Sequence, residues 1–525
     1  MSMGRTRSVV LIGTEGRLIE VEADIGQTLP AFVLLGLPDA ALRESQDRIR
    51  SAAKNAGIEL PRRRLTVNLF PASLPKSGSG LDLAILMSAW AADGHVEGVS
   101  DVVFLAELGL DGRLRPVAGV LPAVAAAVGC GIDTVVVSAE NAAEAALVPG
   151  VEVLAAEHVL PVASYYRAAS ASDVPVEPGQ QVQRHIGGAS ADSSEQGSQP
   201  QTLRAGDKDL ADVRGQQEAR FALEVAAAGG HHLMLIGAPG AGKTMLAERL
   251  PSILPELNDD EAMQVTAIAS ISAGAASVTR LQRRRPFEAP HHSATAPAIL
   301  GGGSRIPGPG AVTRAHLGVL FLDEATEMHR HVLDALRQPL ETGTITLHRS
   351  AGQVTYPAGF QLALAANPCP CGMNIGSGVQ CTCSVAQRRN YMSRLSGPLL
   401  DRIDLQVQVE RPRSAALVAA ELGESSEEVA QRVHQARALQ AERLGPYGLR
   451  LNSQLPLSLL SAELRLPPAC VRLLDRALDR AQISLRGYVR VLRLSWTLSD
   501  LFCKDHPDEE EIDAAMQLRL AGTSR

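Results

Sequence analysis

The sequence predicts an α/β protein in three folded parts: an N-terminal α/β domain, a central phosphate-loop core and a C-terminal helical domain. Three observations predict it. The run Leu233–Ile236 is short and wholly apolar, as a buried strand is. It leads through a glycine-rich loop into Met245–Leu250, which has helical spacing. A second apolar run, Val319–Leu322, ends in the paired carboxylates Asp323 and Glu324, at the end of a strand where ligands bind in open α/β sheets. Finally, a chain of 525 residues is too long for one core. The stretch 168–202 is too poor in large apolar side chains to join any core.

Composition narrows the class. Apolar content of 45% with 20% charged residues is that of a globular protein, and 3% aromatics means that the cores are aliphatic and alanine-rich. Lys+Arg 50 against Asp+Glu 57 gives a net charge of −7. That balance neither requires nor excludes nucleic acid, whose footprint is a local patch. Of seven cysteines, Cys130, Cys470 and Cys503 are scattered, and the odd total argues against a disulfide framework. No basic-then-apolar leader opens the chain, and its apolar runs are too short or too interrupted to span a bilayer. The expectation is a soluble cytoplasmic protein.

Taken in order, residues 1–167 form the first domain. Strands are expected at Ser8–Ile12, Arg17–Glu22, Phe32–Leu35 and Leu65–Leu69, with a helix over Asp39–Ala56 stopped by Gly57. A turn over Pro75–Gly80 precedes a helix from Leu81 to Ala91. A hairpin about Asp111 and Gly112 follows, then a helix and the strand Thr134–Val137. Residues 168–202 read as a flexible linker. The phosphate-loop core spans 203–410 and opens with a lead-in segment near Val213. Residues 411–525 are helical. Ser425 or Ser426 caps a helix through Leu444, with Glu427 and Glu428 favouring the dipole of its first turn. Amphipathic helices are expected over Pro467–Ala481 and Val489–Phe502.

The chemistry concentrates in the core. Gly237, Ala238, Pro239, Gly240, Ala241, Gly242, Lys243 and Thr244 match G-x-x-x-x-G-K-[ST]. The glycines let backbone N–H groups converge on an anion, and the following helix N-terminus adds partial positive charge. Lys243 supplies a point charge for β- and γ-phosphates, and the Thr244 hydroxyl is suited to Mg²⁺. Asp323 is suited to Mg²⁺ as well, and Glu324 to polarising a water as general base. ATP with Mg²⁺ is the implied cofactor. A third apolar run, Phe360–Ala366, ends at Asn367, placed to orient that water. Between the first two strands lies a long insertion with a basic run, Arg280–Arg285, and the pair His291 and His292, which reads as a loop anchor. Arg283, Arg284 and Arg285 could meet phosphates or simply face solvent. A hairpin is expected from Gly343–Arg349 and Gly352–Tyr356, with Arg349 near its tip. Cys369, Cys371, Cys381 and Cys383 form two C-x-C pairs on one loop, a set able to hold structural Zn²⁺.

Several runs carry a resemblance. Gly36–Asp39, Val67–Ala72 and Pro75–Asp82 resemble the N-terminal domain of the ComM/YifB proteins, AAA+ ATPases related to the magnesium-chelatase motor subunit. The resemblance covers nearly the whole chain outside the linker. It implies a Lon-protease-like (ribosomal S5 domain 2-like) first domain, an AAA+ core with chelatase-type inserts, and a helical lid. The Lon-type catalytic serine and lysine fall at Gly80 and Leu121, neither of which can act as nucleophile or base. Lys76 and Ser79 then read as turn residues. The segment Arg394–Asp404 is similar to the family's arginine-finger segment, which makes Arg402 the finger and Arg394 the reserve. Ser484–Arg490 resembles the sensor-2 segment, with Arg486 the candidate and Arg490 and Arg493 as alternatives. A finger acting in trans implies a homo-oligomeric ring, a hexamer. The resemblance further implies translocation on DNA, as in branch migration or helicase work during recombination or transformation. The rival expectation is a partner-dependent, chelatase-like remodelling or metal-insertion motor, although no D-x-S-x-S segment that would mark a chelatase partner subunit is present.

Overall fold

The computed structural model describes residues 3–36, 39–74, 76, 79–171, 174, 181–188, 208–272, 278–303, 307–349, 352–374, 380–411 and 423–520. The N-terminal domain carries β1 (Gly4–Ile12), β2 (Glu15–Gly26), β3 (Ala31–Leu35), β4 (Arg64–Phe70) and β5 (Val103–Leu105). A small hairpin of β6 (Glu107–Leu108) and β7 (Leu114–Arg115) follows, then β8 (Thr134–Ser138), β9 (Glu152–Ala156) and β10 (Gln183–Ile186). Eight of these make one mixed sheet in the order β10-β9-β8-β5-β1-β2-β4-β3. The helix Asp82–Ala92 is buried on nearly all sides, which its apolar sequence allows. Its one charge, Asp82, is bonded to Arg48 at 2.7 Å and Ser45 at 2.8 Å, as a buried carboxylate must be.

The core domain holds β11 (Leu233–Gly237), β12 (Phe287–Glu288), the short pair β13 (Gly301–Gly302) and β14 (Gly308–Pro309), β15 (Val319–Leu322), the hairpin β16 (Thr344–Arg349) and β17 (Gly352–Pro357), β18 (Gln361–Ala366) and β19 (Leu405–Val409). Five of them form an all-parallel sheet in the order β12-β15-β18-β11-β19. Every residue of β11, β15 and β18 is buried, the pattern of a sheet covered on both faces. Alternation divides the faces. Leu233 and Leu235 join the core made with the helices Gln217–Gly229, Ser426–Leu444 and Leu485–Leu501. Met234 and Ile236 point the other way, to the core made with the insertion. β11 lies between β18 and β19, so its carboxyl end is the switch point where such sheets bind ligands.

One expectation changes and two contacts add to it. The 168–202 stretch is not linker throughout: Gln183–Ile186 pairs antiparallel with β9, and Ala168, Ala171 and Val174 are buried in the first domain's core. An exposed edge strand needs backbone partners more than apolar side chains, so composition hid it; residues 175–180 and 189–202 lie outside the described residues. Among the described residues, the C-terminal helices share one core with the sheet. The two domains also touch directly. The helix Asp259–Ser272, inside the insertion, packs Ala267 into the first domain's second core, and Ser270 donates to Glu144 at 2.5 Å. Among the described residues no helix is long and apolar enough to cross a membrane.

Candidate functional site

β11 delivers its chain into the loop 238–242, and the helix Lys243–Ala247 leaves it. Gly240 (φ 74°) and Gly242 (φ 91°) take the left-handed conformation that residues with a Cβ avoid. The loop therefore turns tightly, with the Ala241 N–H donating to the Ala238 carbonyl at 3.1 Å. Lys243 is buried and folds back over the loop: its ammonium donates to the carbonyls of Gly237 at 2.7 Å and Ala238 at 3.0 Å, and to Asn367 Oδ1 at 3.1 Å. Burial pushes its pKa down, against the pull of Asp323 and Glu324.

The neighbouring strand ends complete the site. β15 ends beside the loop, and the Thr244 hydroxyl donates to Asp323 Oδ2 at 2.6 Å. Two hard oxygens at that spacing suit Mg²⁺, which takes few protein ligands and fills the rest with water and phosphate. Glu324 follows at φ 48°, an uncommon conformation for a residue with a Cβ, of the kind that clusters at functional sites. Its carboxylate meets His292 Nδ1 at 2.9 Å. β18 carries Asn367 to the same end through its bond with Lys243. The loop, Lys243, Thr244, Asp323, Glu324 and Asn367 thus lie together, on strand ends that are adjacent in the sheet but far apart in sequence.

The expected arginines do not converge there. Arg402 is ion-paired with Glu341 and largely buried, and Arg486 pairs with Asp401 at 3.3 Å. Both line a cavity of about 880 Å³ with Arg490, Arg493, Arg285 and Arg437. The cavity is also lined by His232, Gly318, Phe360 and Asp404, which precede or begin β11, β15, β18 and β19. It therefore opens at the amino end of the sheet, a strand length of about 15 Å from the phosphate loop. Burial pushes the Asp404 carboxyl up, but Arg490, His231 and His232 outweigh it and hold the group well below the usual range. Arg394, the reserve, instead bonds Thr326 and Glu327 at 3.0 Å, just past Asp323 and Glu324.

Other expectations resolve individually. Ser79 donates to Glu107, whereas the Lys76 ammonium is taken by the carbonyls of Pro71 and Leu74, so the two form no dyad. Pro75, Ser77 and Gly78 lie outside the described residues. Val213 is wholly buried in the core. Arg283 makes an exposed pair with Asp259 at 2.7 Å, whereas Arg285 is largely buried and bonds the carbonyls of Pro255 and Leu317. His291 bonds Ser293, a loop anchor as expected; His292 does not anchor its loop but reaches Glu324. Arg349 bonds backbone at Gly303 and His348. The four clustered cysteines bring their sulfurs together just beyond Asn367.

One residue escaped the sequence reading. Arg411, two residues past β19, donates from Nε to Pro239 O at 2.9 Å and adds a cation at the loop mouth. Its signal was its place after the last apolar run of the sheet, a run legible as a strand only once the sheet order is known.

Comparison with known proteins agrees along the chain. Residues 209–417 match the family model described as magnesium chelatase, subunit ChlI. Residues 21–141 match subunit ChlI of Mg-chelatase, and residues 423–519 match the magnesium chelatase subunit ChlI C-terminal model. The chain is 46% identical over 527 residues to the uncharacterized protein Rv2897c of Mycobacterium tuberculosis, covering 100% of both. It is 38% identical over 504 residues to the competence protein ComM of Haemophilus influenzae, with 95% of this chain and 94% of that one covered. With YifB of Escherichia coli the identity is 37% over 522 residues, 99% and 97% of the two chains.

Proposed function

The chain belongs to the ComM/YifB family of magnesium-chelatase-like AAA+ proteins, and from that membership we propose that it is an ATP-hydrolysing ring motor that acts on DNA. The observation that carries the hydrolytic part is the convergence of Lys243, Thr244, Asp323, Glu324 and Asn367 at one end of a parallel sheet. Loop amides and Lys243 hold the phosphates of ATP. Thr244 and Asp323 hold Mg²⁺, which neutralises phosphate charge when bound. Glu324 takes a proton from the attacking water, and Asn367 orients that water. The first domain, similar to Lon-type domains in its implied fold, has no peptidase role, and the C-terminal helices act as the lid.

The position of Arg402 and Arg486 supports a ring. On the far side of the sheet from their own phosphate loop, they serve a site that only a neighbouring copy can bring to them. A homo-hexamer closes such head-to-tail contacts. DNA as the track rests on family membership and on a relative named for competence. The magnesium-chelatase family match favours a second reading, a remodelling or metal-insertion motor switched on by a protein partner.

The deciding experiment is the steady-state ATPase rate with and without single-stranded, duplex and four-way-junction DNA at fixed low salt. Strong stimulation by one form supports the DNA motor and identifies its track. Robust turnover indifferent to every DNA favours the partner-dependent motor. No turnover with or without any DNA overturns the DNA motor.

A further inference from the structure

We propose that Cys369, Cys371, Cys381 and Cys383 form a tetrathiolate zinc site that braces the phosphate loop from outside. The first part goes beyond the proposed function; the second rests on the loop's holding a nucleotide.

The geometry is that of a closed metal site. Cys369 Sγ lies 3.4 Å from Cys371 Sγ and 3.7 Å from Cys381 Sγ, and Cys371 and Cys381 are 3.7 Å apart. All four sulfurs lie within 4.8 Å of one another. Zinc–sulfur bonds of about 2.3 Å give a tetrahedron with edges of about 3.8 Å. A disulfide requires about 2.05 Å, and all four thiols are free. Four soft ligands exclude Mg²⁺ as occupant, and a complete set of four leaves no open position for catalysis.

The brace follows from what the cysteine turn touches. Cys369 is two residues past Asn367, which bonds Lys243. Gly372 (φ 73°) closes the turn against the loop: a Cβ there would lie 2.4 Å from Pro239 Cδ. Arg411 holds the carbonyl of the same Pro239. A metal that fixes the turn thus fixes one wall of the phosphate loop and the end of β18 together.

The test begins with metal content, which requires no activity. Full-length protein purified without added metal should carry one zinc per chain by elemental mass spectrometry, with the four clustered thiols protected from a thiol reagent until a mercurial displaces the metal. The double variant Cys381→Ser/Cys383→Ser should lose the zinc; if it fails to fold, the mercurial release from wild type decides alone. Substoichiometric zinc, stoichiometric iron, or immediate reaction of all four thiols overturns the site. Binding of a fluorescent ATP analogue then tests the brace. Metal-free protein should bind five- to tenfold more weakly, with affinity restored by Zn²⁺, and Gly372→Ala should weaken binding while keeping its zinc. Equal affinity with and without zinc overturns the brace. Zinc-loaded protein that binds no nucleotide would instead count against the proposed function.

Discussion

At the scale of single residues, Glu324 and His292 decide the most. Glu324 sits in a strained backbone conformation with its carboxylate on His292. Substitution by Gln keeps the shape and removes the basicity. Glu324→Gln should retain binding of a fluorescent ATP analogue and lower turnover by about a hundredfold or more, the share of a general base; unchanged turnover would remove Glu324 from that role. His292 competes for the same carboxylate. The pair is half-exposed, so it is worth no more than about 1 kcal/mol, and His292→Ala should raise DNA-free turnover by no more than about fivefold. A fall in turnover would mean that His292 positions the base rather than restraining it. The motif residues were legible in the sequence because each ends an apolar run at a fixed chemical position. The His292 contact was not, since the partners are 32 residues apart and meet only when the insertion folds over β15.

Elements set the response to pH. At the amino end of the sheet, Leu362 N–H donates to His232 Nδ1 and Gly359 N–H donates to His316 Nδ1, each at 3.0 Å. Both acceptors require a neutral ring at that nitrogen. Burial lowers each pKa from 6.5 to about 4, against the opposing pull of Asp404 on His232 and of Glu261 on His316. The unfolded chain takes up these protons first, so the stabilisation is complete above about pH 6.5 and is lost as pH falls towards about 4. Each ring contributes up to about 3 kcal/mol. Asp404 also has a depressed pKa, but its contribution is lost only below the ordinary carboxylate range. The thermal midpoint should therefore hold steady from pH 8 to 7 and drop steeply between about 6 and 4. His316→Gln should flatten part of that slope; an unchanged profile would show that these rings are not buried neutral. Strands were legible by their apolar runs, but β10 was not, because an edge strand is held by backbone pairing with β9.

At the scale of the whole molecule, the separation of Arg402 from the phosphate loop makes subunit mixing informative. Arg402→Ala should bind nucleotide normally and lose turnover by about a thousandfold. Lys243→Ala should not bind. Mixed together, the two variants create interfaces that pair an intact loop with an intact Arg402, and turnover should partly recover. If no mixture recovers any activity, Arg402 does not act across an interface. The same scale holds the link between domains. Glu144 accepts from Ser270 and from the backbone N–H of Leu121 at 3.0 Å, joining the first domain to the insertion of the second. Glu144→Ala should lower the temperature at which the first domain unfolds, measured by hydrogen exchange, while leaving zinc content and nucleotide affinity intact.

The sequence by itself determined the local chemistry: the glycines that turn the loop, the lysine and threonine beyond it, the carboxylates closing β15, the asparagine closing β18 and the two cysteine pairs. These are short-range facts, since backbone freedom, apolar runs and donor type are properties of a few adjacent residues. Only the tertiary structure decided which of them meet. Strand order set Asn367 on Lys243 and Arg411 on Pro239, and strand direction carried Arg402 and Arg486 to the opposite end of the sheet. Direction and order come from burying both faces of one sheet at once, a condition that involves the whole chain and that no single segment encodes.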